Sequence, residues 1–130
     1  MIGIFLMTHA SLGEALIQCV CHVMGQRPPQ IAQIGVCAQD EPDALLPQAR
    51  QMRDLVDSGQ GVLVLTDVCG ATPSNIALRL FEAGRTEIVS GVNVPLLLRV
   101  LNYREETLEA LVKRAIAGGC DGVTRLTPEA

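Results

Sequence analysis

Two short runs, Ile2–Met7 and Val62–Thr66, are apolar at almost every position and lack the alternation of a strand with one wet face. Such runs suit strands buried on both faces, which is the situation in a parallel sheet covered by helices above and below. They are far shorter than the ~20 residues a membrane span requires. Between and after them the hydrophobic period changes. Leu12, Ala15, Leu16, Cys19, Val20 and Val23 recur at helical spacing and stop at Gly25, predicting a first helix. Beyond Pro28-Pro29, Ile31–Cys37 reads as a second strand. Leu45, Leu46, Ala49, Met52 and Val56 mark a second helix entered near Pro42, with Gly59 and Gly61 after it.

After Val62–Thr66, the loop Val68-Cys69-Gly70-Ala71 leads to Thr72 as an N-cap and Pro73 as the first helical residue, and this third helix is expected to run to Gly84. Thr86–Ser90 reads as a fourth strand and Leu96–Asn102 as a brief helix. Leu108, Leu111, Val112 and Ala115 carry a longer helix that Gly118 and Gly119 are expected to end. Gly122–Leu126 reads as a last strand and Thr127–Ala130 as a loose tail. Strands alternating with helices specify an α/β fold with an open, mostly parallel sheet and helices on both faces. A chain of 130 residues without linker or repeat is expected to be one domain, residues 1–130.

Composition narrows the function. Ten basic residues against fourteen acidic ones, scattered along the chain with 2% aromatics, argue against a nucleic-acid groove, which needs a basic stripe and stacking platforms. Lys113 is the sole lysine and lies in no G-x-x-x-x-G-K-[ST] pattern, and no G-x-G-x-x-G follows the first strand, so neither a P-loop nor a dinucleotide fingerprint is present. The chain opens without a basic n-region, and a cytoplasmic location is expected. Five cysteines without a C-x-x-C fit free thiols in a reducing compartment. Cys19, Cys21, Cys37 and Cys120 read as small buried hydrophobes, and Cys69 as a loop residue with room for a redox role. Neither a metal site nor a cofactor is called for.

In open parallel sheets ligands bind beyond the carboxyl ends of the strands, where strand order reverses. If the first strand is central, between the second and third, His9 and Asp67 meet there, being the titratable residues that directly follow strands one and three. A carboxylate beside an imidazole fixes its tautomer and leaves the other ring nitrogen aimed at an electrophile. Thr72 and the start of the third helix would offer hydrogen-bond donors to an anion, with Gly70 and Ala71 small enough for close backbone approach. Taken singly, His9 reads as a loop residue, Asp67 as a turn residue and Thr72 as a cap. His22 sits on the flank of the first helix. Glu14, Asp54, Asp57, Glu105, Glu106 and Glu109 read as a solvated face. Together, His9, Asp67 and Thr72 point to a histidine that transiently carries a phosphoryl group.

Three segments carry a resemblance that spans essentially the whole chain: T-H-A-S-L-G-E-A-L (Thr8–Leu16), V-L-T-D-V-C-G-A-T-P-S-N (Val64–Asn75) and G-V-N-V-P-L-L (Gly91–Leu97). They resemble the enzyme IIA domain of the mannose family of the bacterial phosphoenolpyruvate-dependent sugar phosphotransferase system. The resemblance implies strand order 2-1-3-4 and a homodimer in which Gly122–Leu126 is exchanged as an antiparallel edge strand. It implies that His9 is phosphorylated by the phosphocarrier HPr and passes the group to a IIB component in trans, with Asp67 holding the imidazole and Thr72 near the phosphate. Membrane contact would be indirect, through a permease complex. Where such domains commonly carry a bulky aromatic and a Gly-Gly pair, this chain has Val68-Cys69-Gly70-Ala71, and Ser74 stands where a Phe often follows the proline. That thinner apolar rim motivates a second reading, a regulatory sensor of phosphorylation state without sugar transport. A third is the related phosphotransfer subunit of dihydroxyacetone kinase, which shares the fold and the early histidine, but the T-D-V-C-G-A-T-P and G-V-N-V-P segments fit the mannose pattern better.

Overall fold

The computed structural model describes residues 1–128. Four strands, β1 (Gly3–His9), β2 (Ile31–Val36), β3 (Val62–Thr66) and β4 (Thr86–Ser90), form one parallel sheet in the order β2-β1-β3-β4. The expected topology is therefore the one observed, with β1 and β3 central. Their register aligns Met7 with Thr66, and β2 aligns Val36 with His9. Pairing with β2 carries β1 two residues beyond its apolar run, so His9 is the last residue of the strand rather than part of the following loop.

Side-chain alternation divides the core between the two faces of the sheet. Ile4, Leu6, Leu63 and Leu65 pack with helices α1 (Leu12–Met24), α4 (Val94–Leu101) and α5 (Leu108–Asp121). Phe5, Met7, Val62 and Val64 pack with α2 (Pro42–Val56) and α3 (Thr72–Leu78). By the same alternation His9 faces the α2/α3 side. With two Phe and no Trp, both cores are built from branched aliphatics.

At the amino edge of the sheet Arg104 is buried, and its guanidinium donates to the carbonyls of Ile2, Pro29 and Gln30. Burial pushes its pKa down from the usual arginine range, with Glu105 opposing. One side chain thus donates to three backbone carbonyls, of which that of Gln30 also accepts from the Ile4 N–H.

Several local expectations are corrected. Helix α1 is rotated from the expected stripe: Gly13, Leu16, Ile17 and Val20 are buried, whereas Leu12, Ala15, Cys19 and Val23 face outward. Gly13 allows this rotation, because it lies against the Thr8 hydroxyl and the Gln33 side chain where a Cβ would crowd both. Helix α3 ends at Leu78, not Gly84. The chain then turns so that Leu80 is buried and Glu82 bridges Thr86. Asp57 is no solvated-face residue, since its carboxylate accepts from the N–H groups of Gly59 and Gly61. Burial raises its pKa, but these bonds and Arg85 outweigh that and hold it below the carboxylate range. Cys19, Cys37, Cys69 and Cys120 are exposed, and Cys21 is half-buried.

Gly118 and Gly119 do not end α5, which continues to Asp121. Their bare backbone lets α4 and α5 approach, since a Cβ on Gly118 would lie 2.7 Å from that of Arg99 and one on Gly122 would overlap the Pro95 ring. The expected strand at Gly122–Leu126 is not formed: within the single chain these residues are irregular and exposed. Of the expected loose tail, Thr127 and Pro128 are exposed, and Glu129 and Ala130 lie outside the described residues.

The close α4–α5 contact gives a test. Alanine raises helix propensity over glycine by ~1 kcal/mol, yet overpacking a tight contact costs about 1–3 kcal/mol. Gly118→Ala is expected to lower the midpoint of urea unfolding; a raised midpoint would mean that the contact yields without cost.

Candidate active site

Thr8 closes the buried part of β1, and its hydroxyl accepts from the Gly13 N–H at 2.8 Å, fixing the start of α1 relative to the strand end. The next residue, His9, lies at the carboxyl end of β1 beside Asp67, which directly follows β3. One carboxylate oxygen of Asp67, Oδ2, accepts both the backbone N–H of His9 at 3.0 Å and its Nδ1 at 2.7 Å. The other oxygen, Oδ1, accepts from the Val68 N–H at 3.1 Å.

An ionised carboxylate can only accept, so Nδ1 must carry the proton and Nε2 is left with its lone pair. The His9 side chain is 50% exposed and that of Asp67 13%, so the base is shielded while the imidazole is accessible. Burial raises the Asp67 pKa. Hydrogen bonds from the His9 backbone and imidazole outweigh it, and the carboxyl lies below the ordinary range.

His9 opens into a cleft of about 310 Å³ lined by Val36, Cys37, Ala38, Asp40, Pro42 and Thr72. The cleft thus spans the end of β1, the β2–α2 loop and the starts of α2 and α3. No lysine or arginine is among these residues. Thr72 is exposed and, contrary to expectation, is not the cap: Ala71 is the N-cap, and Thr72 and Pro73 open the helix. The hydroxyl of Ser74 donates back to the Ala71 carbonyl at 2.8 Å. Thr72 is therefore free of a capping bond and faces the same cleft as His9.

Gly70 has a φ of +86°, a left-handed turn favouring glycine, and a Cβ there would meet nothing within 4 Å. Among the described residues the N–H groups of Gly70 and Ala71 donate no hydrogen bond. Cys69 is exposed on this loop but does not line the cleft; the thiol that does is Cys37.

The third motif, Gly91–Leu97, supports the site from behind. The N–H groups of Gly91 and Val92 both donate to the Thr66 carbonyl, one residue before Asp67. Asn93 caps α4 by accepting from Leu96 and donates to the Gly119 carbonyl of α5. Sequence reasoning missed the β2–α2 loop, with Cys37, Ala38 and Asp40. Its signal was topological, since any strand beside β1 delivers its following loop to the same edge. Among the described residues no group of three or more His, Cys, Asp or Glu side chains is placed to hold a metal ion, and no helix is long and apolar enough to cross a membrane.

Residues 3–116 match the family model EIIA-man, described as PTS system fructose IIA component. The PTS system mannose-specific EIIAB component of Escherichia coli strain K12 is 27% identical over 128 residues, which cover 96% of this chain and 39% of that relative. The chain thus spans about two fifths of that relative's length. In fold it is similar to the mannose/sorbose specific IIA subunit of the phosphotransferase system from Enterococcus faecalis. That pair has a TM-score of 0.85 at 19% identity, covering 97% of this chain and 95% of the other. The phosphotransferase system component EIIA from Streptococcus agalactiae has a TM-score of 0.84 at 21% identity, covering 96% and 97%.

The Asp67 bond has a predicted pH dependence. A carboxyl held below its unfolded pKa contributes stability that is fully present above the unfolded value and is lost as pH falls through the folded one. The stability gap between the native chain and Asp67→Asn should therefore be widest near neutrality and shrink on acidification through the carboxylate range. A gap independent of pH in denaturant titrations would show that the ionised carboxylate adds nothing.

Proposed function

The chain belongs to the EIIA-man family, as a PTS IIA component of the mannose family, and on that premise we propose that it is a phosphocarrier working through His9. PTS IIA components are phosphotransferases in the general sense. The observation that carries the finer reading is the Asp67 carboxylate on Nδ1 of His9, with the half-exposed imidazole opening into the cleft.

In this reading the lone pair of Nε2 attacks the phosphorus of phospho-HPr. The new P–Nε2 bond forms as the bond to the donor breaks, and the donor nitrogen keeps that electron pair. The positive charge arising on the His9 ring is met by Asp67 through the Nδ1 proton. Thr72 and the N–H groups of Gly70 and Ala71 receive the phosphoryl oxygens, a role suited to donors without other partners. Reversal with a IIB component in trans passes the group on. No cofactor takes part, and a cytoplasmic setting fits partners of this kind.

Incubation with enzyme I, HPr and phosphoenolpyruvate should add one phosphoryl mass, labile to acid and stable to alkali. His9→Ala should take up none, and labelling that survives in His9→Ala would sink the assignment. Asp67→Asn should remain folded and be phosphorylated about 10–100-fold more slowly, the usual loss when an orienting partner is removed.

A dimer with exchanged C-terminal segments belongs to the same proposal. Val123 and Leu126 are 79% and 86% exposed in the single chain, and β2 and β4 both present open sheet edges. Light scattering should report a dimer for the full chain and a monomer once residues after Asp121 are removed. A truncated chain that stays dimeric would refute the exchange.

A further inference from the structure

We infer that Gly35, on the neighbouring strand β2, is a positioning residue for His9: its missing side chain admits the turn that fixes the imidazole on Asp67. The inference rests on the reading of His9 as the phosphoryl acceptor. Ala10, directly after His9, has a φ of +49°, a left-handed conformation that a residue with a side chain adopts at a cost.

Two contacts hold Ala10 there. Its N–H donates to the Val36 carbonyl at 2.9 Å, and its own carbonyl lies directly against Gly35, where a Cβ would overlap the carbonyl oxygen. Backbone, not a flexible side-chain end, occupies that space, so a larger residue at position 35 must displace Ala10.

Displacement of Ala10 is transmitted to His9 because the two share a peptide bond. His9 is held by two bonds to a single oxygen of Asp67, one from its backbone and one from its ring. A shift of the strand end cannot keep both lengths. Gly35 sits on the α1 face, by its alternation with Ile31 and Gln33, while the imidazole is on the other face. It therefore touches neither the ring nor an incoming phosphoryl group and acts only through the turn. This explains a glycine at the penultimate position of β2, where lack of a side chain otherwise weakens pairing.

The test follows the His9 ring by nitrogen-15 NMR, alongside phosphorylation by phospho-HPr. The chain has only two histidines, and His22→Gln identifies the His9 signals. The native chain should show the Nδ1–H tautomer with a strongly hydrogen-bonded ring proton. Gly35→Ala should lose that proton signal and mix tautomers. Its phosphorylation at saturating donor should slow by about tenfold or more, with the half-saturating donor concentration nearly unchanged, since the docking surface is untouched.

Ala10→Val strains the same turn from the other side, because a β-branched residue resists positive φ, and should give the same pair of effects. Ala10→Gly, which accepts that φ freely, should behave as the native chain. Native tautomer and rate in folded Gly35→Ala or folded Ala10→Val would overturn the inference. So would failure of both to fold, which would place the role of the turn in folding. If the native chain takes up no phosphoryl group at His9, the functional reading fails, while the tautomer comparison still decides the role of Gly35.

Discussion

One carboxylate oxygen organises this molecule's chemistry. Asp67 Oδ2 accepts from the backbone and the ring of His9 together, so the strand end and the imidazole are fixed by the same atom. That geometry needs β1 and β3 adjacent, parallel and in register, so that both carboxyl ends reach the same level. It also needs Asp67 ionised, which the same bonds favour despite burial. The sheet order and the helices that cover both faces can be read as the means of presenting this pair at one edge.

The surroundings fit the proposed transfer better than capture of a small molecule. The cleft beside His9 is small and carries no basic side chain. In the proposed reading a phosphoryl group arriving there meets a hydroxyl and backbone N–H groups, which stabilise charge without holding it as an arginine fork would. A carrier that must give up what it receives is better served by such modest donors. The thin apolar rim of Val68, Cys69 and Gly70 leaves the loop exposed to a partner.

Much of this was legible in the sequence because it depends on pattern. The unbroken apolar runs Ile2–Met7 and Val62–Thr66 gave buried parallel strands, and the positions of His9 and Asp67 just beyond them gave the pair. What was not legible depends on contacts between distant segments. Gly118 and Gly119 resemble helix stops locally, yet they are packing surfaces for Arg99 and Leu96. The rotation of α1 depends on the fit of Gly13 against Thr8 and Gln33, which apolar spacing does not report. Thr72 looks like a cap, but Ala71 takes that position and frees its hydroxyl for the cleft. Gly122–Leu126 reads as a strand because its composition is strand-like, but within one chain it pairs with neither edge of the sheet.

The central claim is that Asp67 keeps the proton on Nδ1 so that Nε2 of His9 is the atom that reacts. Phosphorus–nitrogen correlation NMR on the phosphorylated, nitrogen-15-labelled chain tests it most directly. The account predicts a phosphoryl group bonded to Nε2 of His9, with Nδ1 still protonated. A phosphoryl group on Nδ1, or on any other residue, would contradict it.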